Sequence, residues 1–420
     1  MIGANIYVKG TTLGTLSNPY GFYSLTLPEG KYEVSFSFVG YETVIKEIDL
    51  TQDQVINISL DQNLQLGEVT VVADKIENTV ESSQLGAVDL STKTIKSIPA
   101  LLGEVDIIKA IQLLPGIQSG TEGSSGLYVR GGGPDQNLIL LDGIPVYNVN
   151  HLFGFFSFFN ADAINSVQLI KGGFPARYGG RLSSVIDIRM KEGNNEKIHG
   201  SGSIGLVAAK LTLEGPIIKD KMSFVVSGRR TYIDILAAPF IAAQSNDNES
   251  LKGGYYFYDL NTKINYKFSD RNRLYLSAYM GNDKAYANEE YSYNNDYSED
   301  RFKLRWGNII SALRWNYLIT NKLFLNTTLS YSRYKFLTAI YSEYNFDNKE
   351  EIYEFEYNSG IDDYAAKLEL DFMPNPNHYI RFGANNTYHI FNPGVNVFNL
   401  NSNQEENIDT VIGNSKIVRK

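Results

Sequence analysis

A chain of 420 residues is long for one domain and leads us to expect two to four. Its net charge of -9 argues against phosphate-backbone binding, which needs clustered Lys and Arg, so nucleic acid is not expected as a partner; the absence of cysteine excludes disulfides and thiolate metal sites. No run of about eighteen apolar residues exists, which excludes a transmembrane helix but not membrane-crossing strands of about ten alternating residues. Aromatic residues make up 13% of the chain, almost all of them Tyr and Phe, and Leu-rich helical periodicity is scarce, a balance that favours β structure.

From Ala4 to about Leu60, short alternating strands are punctuated by turns. Ile6 and Val8 alternate, Asn18-Pro19-Tyr20-Gly21 reads as a turn, and Tyr23, Leu25 and Leu27 alternate. Pro28-Glu29-Gly30 turns the chain again, and Tyr32, Val34, Phe36 and Phe38 alternate up to Gly40. A small β-sandwich over 1–64 is expected. Through Gly3-Ala4-Asn5-Ile6, Asn18 to Phe22, and Leu27-Pro28-Glu29-Gly30-Lys31-Tyr32 to Gly40-Tyr41 it resembles the transthyretin-type carboxypeptidase regulatory-like domain. That resemblance implies a non-catalytic module, and no His and Glu pair suited to zinc lies in these residues.

Over 65–83 the chain turns polar around one apolar island, Leu66-Gly67-Glu68-Val69-Thr70-Val71-Val72-Ala73. Such an isolated β-prone run has little core to join, and is suited to adding as a strand to the sheet edge of another protein. A plain domain-linking strand is the alternative from the residues alone.

The next domain is expected over 84–193. Leu102, Val105, Ile108, Ile111 and Leu114 fall at helical spacing until Pro115-Gly116 stop the run. Three β-rich runs closed by glycine follow: Tyr128-Val129-Arg130-Gly131-Gly132-Gly133, Leu138-Ile139-Leu140-Leu141-Asp142-Gly143, and Ser166-Val167-Gln168-Leu169-Ile170-Lys171-Gly172-Gly173. The Gly120 to Gly126 run reads as a loop, since it lacks the Lys and Ser or Thr of a phosphate loop and precedes strand-like residues. In this order the three runs resemble the plug domain of TonB-dependent outer-membrane receptors, a small domain that sits inside a β-barrel and gates it.

Beside a plug-like domain the island looks like a TonB box. The resemblance then names Leu66, Glu68, Val69, Thr70, Val71 and Val72 as the segment that a TonB-type energy-transducing partner captures and pulls, driven by the inner-membrane proton gradient. It also implies that the loops at 118–126 and after Asp142-Gly143 face the exterior, which makes Gln118, Tyr147, Asn148, Asn150 and His151 the ligand-binding candidates. Most of Phe153, Phe155, Phe156, Phe158 and Phe159 read as plug core. Arg130, Arg177 and Arg181 are expected to hold the plug to the barrel wall through buried salt bridges.

From about Glu196 alternation dominates. Tyr364, Ala366, Leu368, Leu370 and Phe372 share one face, against Asp363, Ala365, Lys367, Glu369 and Asp371 on the other, so one side suits lipid and the other water. Leu323 to Leu329, Leu274 to Met280 and Ile380 to Ala384 repeat the pattern. Short connections, such as Lys219-Asp220-Lys221 and Thr320-Asn321-Lys322, alternate with long acidic ones at about 242–254, 286–300 and 341–360. That is the habit of an outer-membrane barrel with its long loops outside, whereas a soluble sandwich alternates without one-sided loops. About 225 residues at about 28 per strand and connection give roughly eight strands, where plugged transporters use about 22. The expected fold class is mainly β: an N-terminal transthyretin-like sandwich, an α/β plug domain, and over 194–420 the first strands, about eight, of a transmembrane antiparallel barrel. The opening Met1-Ile2-Gly3-Ala4-Asn5 carries no secretory signal, and with the strand count this leads to the expectation of a fragment truncated at both ends.

No catalytic constellation emerges. His151, His199, His378 and His389 have no metal-site spacing, there is no Gly-x-Ser-x-Gly elbow or Cys nucleophile, and no acidic loop has the ordered spacing of a calcium site. No enzyme, metal or cofactor is expected. The resemblance, of the type common in the Bacteroidota, implies a ligand-gated importer in the bacterial outer membrane, with the N-terminal domain and TonB box in the periplasm. Its implied partners are a TonB-type protein, outer-membrane lipid and a scarce nutrient. The plug closes with Phe174-Pro175-Ala176-Arg177-Tyr178-Gly179-Gly180-Arg181, not with the Arg-Gly-Ala-Asn-Gly type run of the glycan-importing subgroup, so a surface lipoprotein lid stays an open partner. Siderophore, cobalamin, metal chelate, peptide and glycan stay open as ligands; a surface receptor or adhesin, or a signalling receptor, is the alternative to transport.

Overall fold

The computed structural model describes residues 3–18, 20–38, 41–60, 86–98, 102–120, 126–151, 154–347, 349–375, 378–402, 408–412 and 417–419. The island at 66–73, and with it every residue of the expected TonB box, lies outside the described residues.

Four strands, β1 (Asn5–Val8), β2 (Gly14–Leu16), β3 (Gly30–Ser37) and β4 (Val44–Leu50), form an antiparallel sheet in the order β2-β1-β3-β4. Alternation puts Ile6, Val8, Val34 and Phe36 on one face, where they are buried. Tyr23, Leu25, Leu27, Ile56, Ile58 and Leu60 pack on that face. They come from extended stretches without ladder pairing, so the strand expected at 23–27 covers the core without joining a sheet.

The second unit contains β5 (Ala87–Ser91), α1 (Thr92–Lys96), α2 (Ile107–Gln112), β6 (Ile117–Gln118), β7 (Tyr128–Val129), β8 (Asn137–Leu141), β9 (Ile144–Pro145), β10 (Asn150–His151), β11 (Phe156–Ser157), β12 (Ile164–Ile170) and β13 (Ser184–Met190). Its main sheet runs β5-β12-β13-β8-β9, antiparallel except for the β13 and β8 pair. Helix α2 is shorter than the apolar spacing from Leu102 predicts. Leu102 and Gly103 take φ of 53° and 88°, outside helical space, and Asp106 caps the first turn by accepting from the Lys109 N–H at 3.0 Å. Ile107, Ile108 and Ile111 are fully buried and join a core that continues into Tyr279, Ile310 and Ala312 of the third unit.

That third unit is one antiparallel sheet of β14 (His199–Ile204), β15 (Ala208–Ile218), β16 (Met222–Thr231), β17 (Glu249–Ser269), β18 (Asn272–Tyr293), β19 (Asp296–Thr320), β20 (Leu323–Phe346), β21 (Lys349–Asn375), β22 (His378–Ser402), β23 (Ile408–Ile412) and β24 (Ile417–Arg419), with α3 (Ile233–Ala242) between β16 and β17. The sheet has eleven strands where mean spacing suggests about eight. Its first three are short, and β23 and β24 both pair with β22. The long acidic connections at 286–300 and 341–360 are a correction to the sequence reading: they are paired strand extensions closed by tight turns, with Asn294 and Asp347 at positive φ. Tyr, Phe and Glu alternate there, and Tyr and Phe suit a ladder even where both faces meet water.

Facing parity follows the alternation. Leu276, Leu329 and Leu368 are exposed on the outer face, and cross-strand partners such as Leu325 with Leu370 extend an apolar surface there. Asp363, Glu369 and Asp371 point to the inner face and are buried, and Lys367 pairs with Glu369 at 2.9 Å.

Candidate functional site

The inner face of the sheet carries the plug-like unit, and the seam between them concentrates the buried charge of the molecule. The β8-β9 hairpin turns at Asp142 and Gly143, with φ of 51° and 85°. Asp142 accepts from the Met190 N–H at 3.0 Å, and Lys263 Nζ of β17 lies 3.1 Å from its second oxygen. Burial alone would raise the Asp142 pKa, but Lys263, Arg314 and Arg189 outweigh it and hold the carboxyl below the usual carboxylate range.

Further along, His151 is 2% exposed and sits between two wall carboxylates: Nε2 lies 2.9 Å from Asp259 and Nδ1 2.6 Å from Asp283. Its ring stacks on Phe257 at 3.9 Å and 3°. Burial pulls the imidazole pKa down, yet the two carboxylates outweigh it and push it up to about 9, so the ring is an imidazolium at neutral pH. Asp259 also accepts from Arg229 Nε at 2.8 Å and from the Tyr279 hydroxyl at 2.6 Å, and the Tyr255 hydroxyl donates to Asp283. Arg229 reaches back to the plug, 3.5 Å from Glu104 and 2.9 Å from the Ser157 carbonyl. Lys210 of β15 lies 3.1 Å from Asp162 of the plug.

The structure brings four of the five ligand-binding candidates to this seam. The Tyr147 hydroxyl donates to Asp363, Asn308 Nδ2 donates to the Asn148 carbonyl at 2.6 Å, and Trp306 Nε1 donates to the Asn150 carbonyl at 3.1 Å. Tyr147, Asn148 and Asn150 are half-buried, while the burial of His151 makes it a plug-to-wall contact rather than a reachable ligand group. Gln118 lies apart, on a 580 Å³ cavity lined also by Ile98, Lys109, Gln112, Leu113 and Ile117.

The three arginines need correcting. Arg130 is exposed, at φ 48°, with its guanidinium beside Gly86 and Gly172 of the plug itself. Arg177 donates to the Tyr178 hydroxyl at 2.9 Å and Arg181 to the Gly180 carbonyl at 2.7 Å. None of the three closes an ion pair to the wall among the described residues, although Arg177 lies near enough to Glu369 of β21 to act on it electrostatically. The salt bridges that span the seam instead run mostly from wall cations, Lys210, Arg229 and Lys263, to plug carboxylates. Sequence reasoning missed these. The signal was present, since the outward set Leu260, Ala278 and Met280 puts the odd positions 229, 259 and 263 on the inner face. Trp306, Tyr334 and Phe336 share that inner face above the plug and were missed for the same reason. Among the described residues, no group of three or more His, Asp or Glu side chains is arranged to hold a metal ion.

Comparison with known proteins bears on the first two units. Residues 1–71 match the CarboxypepD_reg-like domain, and residues 85–185 match the TonB-dependent Receptor Plug Domain. The chain is 28% identical over 200 residues to TonB-dependent receptor P39 of Formosa agariphila, covering 46% of this chain and 18% of that protein. It is 30% identical over 186 residues to the ferric enterobactin receptor of Pseudomonas aeruginosa, covering 40% and 24%. A solved structure of that Pseudomonas receptor aligns at 12% identity over 78% of this chain and 72% of that one, with a TM-score of 0.36. The matched part of the chain spans about a fifth to a quarter of the length of these curated relatives. The chain thus carries a CarboxypepD_reg-like domain followed by a TonB-dependent receptor plug domain, and the relatives it resembles are TonB-dependent receptors.

Proposed function

We propose that the protein imports a scarce nutrient across the bacterial outer membrane, gated by ligand and energised by a TonB-type partner that captures Leu66 to Val72 on the periplasmic side. The seam is the observation that carries this reading. A plug is held on the inner face of a sheet by ion pairs and side-chain hydrogen bonds around His151, Arg229, Lys210 and Lys263. Buried ion pairs come close to breaking even against water, so this part of the hold on the plug is exchanged for water at little net cost, beside an apolar contact with Tyr279, Ile310 and Ala312. The outer face supports lipid as the surrounding partner: beyond its apolar residues it carries Lys284, Arg305 and Lys335, suited to the anionic groups of a leaflet surface.

Tyr147, Asn148 and Asn150, with Trp306 and Tyr334 across the seam, are the proposed floor of the ligand site, and Gln118 belongs to a separate edge of the plug. The role is transport rather than catalysis, and the ligand class is a siderophore, cobalamin, metal chelate, peptide or glycan. The test is uptake of labelled ferric enterobactin, cyanocobalamin and maltohexaose, extended to peptides and metal chelates, by native cells with and without the full-length protein. Import predicts that one class accumulates only with the protein and stops when a protonophore collapses the gradient. Equal accumulation in both strains for every class would favour a receptor or adhesin.

A further inference from the structure

We infer that the N-terminal sandwich is a latch: its turn at 18–22 clamps the plug to the barrel wall and covers the inner face at the short-connection end until the domain is drawn away. This rests on the import reading above. Asn18 is 3% exposed although it belongs to a surface turn, because the turn enters the lumen side of the sheet. Asn18 Nδ2 donates to Asp371 at 2.6 Å, the Tyr20 hydroxyl donates to Glu369 at 2.5 Å, and Asn326 Nδ2 donates to the Tyr20 oxygen at 2.8 Å. Tyr20 and Phe22 stack on Phe324 with centroids 5.8 and 5.2 Å apart. Phe324, Asn326, Glu369 and Asp371 all sit on the inner face, next to the connection at 321–322.

The contact is a clamp because it engages both partners at once. Arg189 of β13, a plug strand, and Arg314 of β19, a wall strand, lie over the Tyr20 ring at 5.6 and 5.4 Å. The turn is also preorganised: Asn18 Oδ1 accepts from the N–H groups of Tyr20 and Phe22, both at 2.9 Å, which fixes the side chain and aims its Nδ2 at Asp371. Neither Tyr20 nor Phe22 belongs to the core of the sandwich, so the turn can leave the wall without unfolding its domain. Hydrogen bonds and stacked rings of this kind are exchanged for water more readily than a continuous apolar interface. The proposed pulled segment at 66–72 lies at the end of this domain's matched residues and precedes the plug, so a pull there acts on the latch and the plug together.

The latch is tested in the full-length protein in a cysteine-free background. Thr328→Cys lies on the inner face one step beyond Asn326, and Thr327→Cys on the outer face is the control. With the purified protein in detergent, a polar maleimide is expected to label Thr328→Cys at least about tenfold faster once Tyr20→Ala and Phe22→Ala are added, with the control unchanged; an unchanged rate at Thr328→Cys overturns the latch. The second arm locks the turn with Asn18→Cys and Asp371→Cys. Oxidised cells are expected to lose at least about nine-tenths of the uptake of the ferric enterobactin, cyanocobalamin and maltohexaose panel, and dithiothreitol to restore it. Full uptake with the cross-link formed shows the domain to be a fixed anchor and overturns its release. Absence of uptake in the reduced protein counts against import itself, while the labelling arm still decides whether the turn closes the lumen.

Discussion

Replacing His151 by Ala is expected to weaken the seam by about 3–5 kcal/mol, the usual cost of removing one member of a buried ion pair. Asp259 keeps Arg229, but Asp283 loses the imidazolium that faces it at 2.6 Å, and Phe257 loses its stacked ring. The readout is the opening free energy from amide hydrogen exchange at 150–157 in the full-length protein. The same residue gives the seam a pH dependence of known sign. With its pKa in place at about 9, above the ~6.5 of a free imidazole, its contribution is fully present below pH ~6.5 and lost as pH rises through 9. His151→Gln should open at every pH about as readily as the wild type does above pH 9. A wild-type seam equally protected at pH 6 and pH 10 would show that the imidazolium contributes nothing.

Leu368→Arg is expected to destabilise the full-length barrel by roughly 2–4 kcal/mol near the bilayer midplane, whereas Lys367→Arg should be nearly neutral. Leu368 is exposed on the outer face and pairs across the strand with Thr327; Lys367 faces inward and bridges to Glu369. If β21 is embedded, neighbouring positions on it see lipid and water, because side chains alternate with a period of two. Equal tolerance in a folding assay in lipid vesicles would mean that β21 is not embedded.

These contrasts were legible in the sequence because lipid and lumen impose opposite demands at each step of a strand, and that demand is local. The turn at Asn18 was legible for the same kind of reason: an Asx side chain closes its own backbone. What it would touch was not. Asp371 lies 353 residues away, and no local pattern announces a partner at that separation. The seam shows the same limit. Arg130, Arg177 and Arg181 carry the right charge but close no ion pair to the wall among the described residues, while Glu104, Asp142 and Asp162 meet cations from strands 48 to 125 residues further on. His151 looked exterior beside Asn148 and Asn150, and only the register of β17 and β18 reveals the two carboxylates waiting for it. The strand extensions past Tyr286 and Tyr341 looked like loops because their polar content hides a Tyr and Phe alternation that still pairs.

Import driven by a pull on the 66–72 segment is tested most directly by Val71→Pro in the full-length protein, with surface binding and uptake of the same labelled ligand measured side by side. Proline removes a backbone N–H that an added strand needs and restricts the residue before it, so binding at the wild-type level with uptake at background is expected. Uptake at the wild-type rate would contradict it.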